Sequence, residues 1–220
     1  MTHPAADMTL LYADEALLVL NKPAGLLSVP GRGADKQDCL STRVQRHDPQ
    51  ARVVHRLDMA TSGLLLMARS AAVQRQLSLA FAARAVQKHY EAVVCGLLPT
   101  DLGDAQGWSV IDLPILLDWP RRPLRVIDAQ RGKPSSTRWR VLSTDTAAGT
   151  TRLALMPVTG RSHQLRVHLQ AMGHPVLGDA LYAPTAVQAL TPRLLLHASG
   201  LALAHPISGQ PMQFESPAPF

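Results

Sequence analysis

Arg52-Val-Val-His-Arg-Leu-Asp58-Met-Ala-Thr-Ser-Gly63-Leu-Leu-Leu-Met-Ala68-Arg69 is the stretch whose reading decides the fold. Its apolar run, Gly63 to Ala68, is too short to span a membrane and reads as a buried strand. The residues before it form a polar turn at the mouth of that strand, so His55, Arg56 and Asp58 act from a fixed support. A carboxylate and an arginine in such a turn make a candidate reaction centre.

Working outward, Leu10–Tyr12 and Ala16–Leu20 flank Asp14-Glu15 and predict a hairpin, closed off by Pro23, Gly25, Pro30, Gly31 and Gly33. Asp38 to Arg46 reads as a short helix. Ser70 is a good N-cap for a helix over Ala71 to Arg84, and Val73, Leu77, Ala80 and Phe81 form the stripe that should cover one face of the sheet. Lys88–Cys95, Arg138–Leu142, Thr151–Met156, Leu194–His197 and Leu201–Ala204 read as strands. A second helix runs from Ser162 as N-cap to a stop at Gly173, burying Leu165, Leu169 and Met172, which places Arg161 and His163 at its start. Strands in hairpins interrupted by two or three helices predict an α+β domain, with a mixed, mostly antiparallel sheet flanked by helices.

With 220 residues and 46% hydrophobic content, the chain can bury a substantial core, and one domain over residues 1–220 is the simpler organisation. A formal charge of +6 favours an anionic partner, yet charged residues make up only 17% of the chain, so this is no polybasic tail. Only Lys22, Lys36, Lys88 and Lys133 are lysines; guanidinium forks suit bidentate phosphate contacts, and a coding bias toward arginine explains the same excess. Cys39 and Cys95 are isolated thiols, which fits a reducing compartment and neither a disulfide framework nor a zinc site. Met1 to Met8 lacks a basic region and no apolar stretch is long enough to span a bilayer, so the expectation is a cytoplasmic protein. A monomer is expected, because no long apolar heptad pattern is present.

Each candidate residue carries two readings. Asp58 before Thr61-Ser-Gly63 is either a turn-forming carboxylate or a catalytic one, and the turn offers no second carboxylate of the kind glycoside hydrolysis requires. Tyr90 is either a half-buried strand tyrosine or a base-contacting one. Arg161 falls just before a helix N-terminus, where a cation is disfavoured unless it has an anionic partner, and it is either the mate of a site carboxylate or a phosphate contact or surface salt bridge. Arg56 is either an ion-pair partner for Asp58 or a planar group that stacks on bases. His163 and His168 lie off the i, i+4 helical register, and no HExxH or GxxxxGK[ST] motif occurs, so neither a metal nor a nucleotide loop is expected. Trp119-Pro-Arg121-Arg122-Pro-Leu-Arg125 with Gln130-Arg-Gly-Lys-Pro134 is the densest basic stretch and reads as an exposed loop, either gripping phosphates or merely solvated.

His55-Arg-Leu-Asp58 followed by Thr61-Ser-Gly63 resembles the signature of the RluA family of pseudouridine synthases. The resemblance continues through Asn21-Lys-Pro-Ala-Gly-Leu-Leu-Ser-Val-Pro-Gly31, Lys88-His-Tyr90, Thr159-Gly-Arg-Ser-His-Gln-Leu-Arg-Val-His168, Gly173-His-Pro-Val-Leu-Gly-Asp179 and Leu194-Leu-Leu-His-Ala198, and so covers nearly the whole chain. The chain is most similar to the short, dual-specificity members, without the basic N-terminal module of about sixty residues that larger relatives carry for extra RNA binding.

The resemblance implies the pseudouridine synthase fold and an isomerase that uses no cofactor and no metal. Asp58 takes the part of the essential aspartate: the C1′–N1 bond of a uridine breaks, the uracil rotates, and a C1′–C5 bond forms. A carboxylate can bond to C1′, add to the ring or remove a ribose proton, and these routes stay open. The same resemblance gives Tyr90 the stack on the target base and a late general-base role, pairs Arg161 with Asp58, and lets Arg56 fill the gap left by the flipped uridine. His55, His163, Arg121 and Arg122 complete the expected substrate contacts. The implied partners are stem-loops of 23S rRNA and tRNA anticodon arms, with no DNA and no membrane. The rival readings are a ribosome-assembly factor that binds RNA without chemistry, and a nucleoside or glycoside hydrolase.

Overall fold

The structure is a computed structural model that describes residues 9–220. The start, Met1 to Met8, on which the expectation of no export leader rests, lies outside the described residues. Along the chain come β1 (Thr9–Ala13), β2 (Leu17–Lys22), α1 (Leu40–Gln45), β3 (Arg52–Val53), β4 (Ser62–Ala68), α2 (Ala71–Ala82), β5 (Gln87–Cys95), β6 (Ser109–Asp112), β7 (Ile115–Leu117) and β8 (Arg125–Ile127). There follow β9 (Ser136–Asp145), β10 (Thr150–Pro157), α3 (Gln164–Ala171), α4 (Thr185–Gln188), β11 (Leu196–Ala204) and β12 (Pro211–Glu215). The chain forms two compact units: residues up to Lys88 with Ala198–Pro219, and His89–His197 with Phe220.

In the first unit the strand order is β1-β2-β4-β11, with β3 on β4 and β12 on β11. The expected hairpin is present: β1 pairs antiparallel with β2, and Asp14 ties the turn by accepting the N–H groups of Ala16 and Leu17. Every residue of β4 is buried, as its unbroken apolar run requires of an interior strand. Gly63 has φ +113, and a Cβ there would lie 2.3 Å from the carbonyl oxygen of Ala198, so only glycine fits. Helix α2 starts where expected, with Ser70 Oγ accepting the N–H of Val73. Its Val73 and Leu77 enter a core with Leu17, Val19, Leu64, Leu66, Leu201 and Leu203, while Ala80 and Phe81 pack at the margin.

In the second unit the order is β5-β10-β9-β6, all antiparallel, and β7 and β8 form a separate hairpin. The inner face is set by Ala92, Val94, Leu153, Leu155 and Trp139, all buried. The α+β architecture and the mostly antiparallel sheet are as expected. Two local expectations need correction, and a third gains context. Leu194–His197 and Leu201–Ala204 are not two strands; Ser199-Gly200 stays extended and β11 runs through it. Residues 119–123 of the basic stretch are an exposed turn, as expected, and it connects β7 to β8, with Arg125 the first residue of β8. Helix α3 is capped by His163, not Ser162: His163 takes a left-handed backbone (φ 57) and no side chain caps the end.

Candidate active site

Asp58 sits half-buried in a turn closed by the Thr61 N–H, which donates to the Asp58 carbonyl oxygen at 3.1 Å. The residues on both sides of it are held by the Asn21–Gly31 segment. Buried Ser28 uses one hydroxyl twice on Leu57, donating to its carbonyl oxygen at 2.7 Å and accepting its N–H at 3.1 Å. On the other side, the Met59 carbonyl oxygen accepts from Gly25 N–H at 2.9 Å and from Lys22 Nζ at 3.0 Å. Lys22 is fully buried and also donates to the carbonyl oxygens of Pro23 and Leu26. A buried ammonium must be fully engaged to be tolerated, and here it clamps the loop onto the Asp58 turn. Neither Lys22 nor Ser28 is a candidate from sequence; the Asn21–Gly31 motif is the only signal that points toward them.

His55 is used inside the unit. Its Nε2 accepts the Leu66 N–H at 3.0 Å, and its ring stacks on Phe81 with centroids 4.6 Å apart. Burial, and secondarily the charge of Lys88, push its pKa from 6.5 down to about 4, so the ring is neutral at pH 7. That neutral ring can accept from β4, which makes His55 a brace between β4 and α2 at the base of the Asp58 turn. Arg56, by contrast, is exposed and makes no hydrogen bond or ion pair among the described residues, so the expected alternative of an Arg56–Asp58 ion pair is absent.

In the second unit Tyr90 is half-buried on β5. Leu155 lies across from Tyr90 on one side and from Trp139 on the other, so the three side chains share the inner face of the sheet. Arg161 is exposed, and its guanidinium donates to the Pro134 carbonyl oxygen at 3.3 Å. The turn carrying it is fastened by buried Gln164. Gln164 Oε1 accepts from Thr159 Oγ1 and from Arg161 N–H, and its Nε2 donates to the Ser136 carbonyl oxygen and to Thr137 Oγ1. Five residues beyond Arg161, Arg166 is 5% exposed and grips fully buried Asp179 through Nε at 2.8 Å and Nη2 at 2.6 Å. This fork-to-fork pair is invisible as a pair in the sequence, although both residues fall in the motifs that carry the resemblance. His163 Nδ1 lies 2.6 Å from the Tyr182 hydroxyl.

Arg121 and Arg122 stand at the exposed tip of the β7–β8 hairpin. Arg121 is ion-paired with Asp118 at 2.6 Å, and the Arg122 guanidinium lies 4.1 Å from the centroid of the exposed Trp119 ring. An indole and a guanidinium offered together can stack on bases and contact phosphates.

A model of the family described as RNA pseudouridylate synthase matches residues 16–171, a span that holds the Asp58 turn, Tyr90 and the start of α3. The chain belongs to the RNA pseudouridylate synthase family. Among the pseudouridylate synthases it resembles is a protein of Escherichia coli K12, 47% identical over 213 residues that cover 97% of this chain and 94% of the other. Another, from Yersinia pestis, is 48% identical and covers 97% of this chain and 100% of its own length. Both carry the name dual-specificity RNA pseudouridine synthase RluA. The solved structure of human RNA pseudouridylate synthase domain containing 1 is 29% identical, with a TM-score of 0.79 covering 100% of this chain and 87% of that one. The resemblance read from the motifs is thus borne out. As a pseudouridylate synthase the chain is an isomerase acting on RNA, and a hydrolase reading falls away.

Proposed function

We propose that this chain converts uridine to pseudouridine in stem-loops of both 23S rRNA and tRNA anticodon arms. The observation that carries the reading is identity of 47% along nearly the full length of a relative named for dual specificity, with Asp58 intact on a braced turn. Residues 1–220 act as one catalytic domain, in the cytoplasm and as a monomer, on RNA and not on DNA or a membrane.

Asp58 is the essential carboxylate. The C1′–N1 bond breaks, the uracil turns, C5 bonds to C1′, and the C5 proton leaves while N1 takes one up, so the reaction balances without a cofactor. Tyr90 stacks on the extruded base and accepts the late proton. A flipped base leaves a hole in the stack, and exposed Arg56 has the planar group to fill it. Arg121 and Arg122 hold phosphates, and His163 supports the contact from the start of α3. A guanidinium from the Thr159–His168 motif orients Asp58. Arg161 is the candidate read from that motif.

Tritium release from RNA carrying 5-tritiated uridine tests the reading, because that hydrogen leaves only if a bond forms at C5. Wild type is expected to release it from rRNA and tRNA transcripts, and Asp58→Asn from neither. Salt-sensitive binding without release by wild type would replace the isomerase with the assembly-factor reading.

A further inference from the structure

The outer edge of β7 is secured by an isolated bridge, in which Ile115 exchanges backbone hydrogen bonds with Lys133, and the base of the hairpin by Asp128 N–H donating to the Pro114 carbonyl oxygen. Strand β8 pairs with β7 and its other edge carries outward-facing backbone groups. There the Arg125 N–H donates to the Tyr182 hydroxyl at 2.9 Å. An N–H can only donate, so the hydroxyl accepts from Arg125 and has its own hydrogen for His163 Nδ1, 2.6 Å away. His163 is the cap residue of α3 and lies two positions after Arg161. The Tyr182 ring is also fixed: Arg166 lies 5.1 Å from its centroid, and its backbone N–H donates to Asp179 Oδ1 at 3.1 Å.

From this geometry we infer that Tyr182 is a positioning residue for RNA recognition, whose hydroxyl locks the basic hairpin to the start of α3. The inference rests on the proposed role of Arg121 and Arg122 in gripping RNA. Tyr182 touches neither base nor sugar; it acts through Arg125 and His163. Without the hydroxyl, the edge of β8 loses its partner and the hairpin tip, with Trp119, Arg121 and Arg122, samples more positions before it meets a phosphate. The grip then weakens while the chemistry on bound RNA is unchanged.

Tyr182→Phe removes the hydroxyl and keeps the ring under Arg166. The variant is expected to melt close to wild type, and trypsin should cut it faster after Arg121 and Arg125. Its affinity for a stem-loop RNA should fall about five- to tenfold, the scale of one or two hydrogen bonds. KM should rise with kcat unchanged. Combined with Arg121→Ala and Arg122→Ala, the Phe substitution should weaken binding no further, because both act through one hairpin. In wild type, the Arg125 amide should exchange with deuterium slowly for an edge position, a measurement that stands whether or not the variant folds. A fast-exchanging Arg125 amide, unchanged cleavage, or fully additive effects on binding would each overturn the role of Tyr182. Absence of pseudouridine formation by wild type would instead strike at the proposed function, and leaves the proteolysis and exchange results to be read by themselves.

Discussion

Ser28 Oγ holds both backbone groups of Leu57, the residue immediately before Asp58. A single hydroxyl from a distant loop thereby braces the main chain from which the Asp58 carboxylate leaves. Ser28→Ala would leave a buried N–H and a buried carbonyl without that partner, a cost of about 1–3 kcal/mol. Denaturant unfolding should register the difference. Turnover should fall more than substrate affinity, since a small misplacement of a reacting group lowers rate steeply; a variant with wild-type kcat would show that the clamp serves folding alone.

Lys22 is expected to matter for stability before it matters for chemistry. Lys22→Met withdraws the donor from the carbonyl oxygens of Pro23, Leu26 and Met59 at a position closed to solvent. The unfolding free energy should drop by roughly 3 kcal/mol, the scale for breaking a buried ionic hydrogen-bonding site. Lys22→Arg should not rescue it, because the planar fork cannot meet three carbonyls spaced for an ammonium.

The depressed pKa of His55 weakens the fold on the acid side. The folded ring stays neutral down to about pH 4, whereas in the unfolded chain it titrates near 6.5, so between those values the unfolded state binds more protons. The contribution is therefore complete above pH 6.5 and is lost as pH falls toward 4. His55→Gln can still accept the Leu66 N–H but carries no charge. The melting temperature of wild type should decline more steeply than that of His55→Gln across this window, and parallel curves would dismiss the effect.

Arg121 and Arg122 should contribute to RNA affinity through released counterions. Replacing both by alanine should weaken binding to a stem-loop and lower the slope of log affinity against log salt by roughly 1.5, about 0.7 for each single-strand phosphate no longer neutralised. Unchanged slope would assign the hairpin tip to solvent. Since Arg121 is paired with Asp118 in the free protein, Asp118→Asn should move affinity the other way.

The two arginines near α3 separate by burial. Arg166→Met strands the fully buried Asp179 carboxylate and should cost about 3–5 kcal/mol. Arg161→Ala, at an exposed position whose guanidinium meets one carbonyl, should leave the melting temperature nearly unchanged. Tritium release by the Arg161 variant then reports on catalysis alone, and wild-type release would remove Arg161 from the proposed catalytic set.

What can be read from the chain and what cannot follows from how local each cause is. Strand β4 declares itself because an unbroken apolar run after a polar turn has few other solutions, and α2 because Ser70 and its stripe agree. The cap of α3 escapes that logic. Ser162 has the better cap chemistry, but Gln164 folds back on Ser136 and Thr159, and this tertiary clamp moves the start to His163. Strands β7 and β8 carry too few residues for a period, so only the exposed turn between them, with Arg121 and Arg122, is legible. Lys22 and the Arg166–Asp179 pair are hidden because charged residues are presumed exposed until a partner far along the chain is known. Asp58 itself is legible only as part of a long motif, since its turn alone is equally good as plain turn chemistry.

A side chain at position 63 would strike the main chain of Ala198, so the glycine that closes the Asp58–Gly63 motif is retained by packing between β4 and β11 whether or not the enzyme turns over. A homologue with this packing would need the glycine even if its aspartate were replaced. In genome-scale assignment, then, the tail of this motif testifies to the packing of the fold, and testimony about activity falls to the carboxylate only under the role proposed for Asp58.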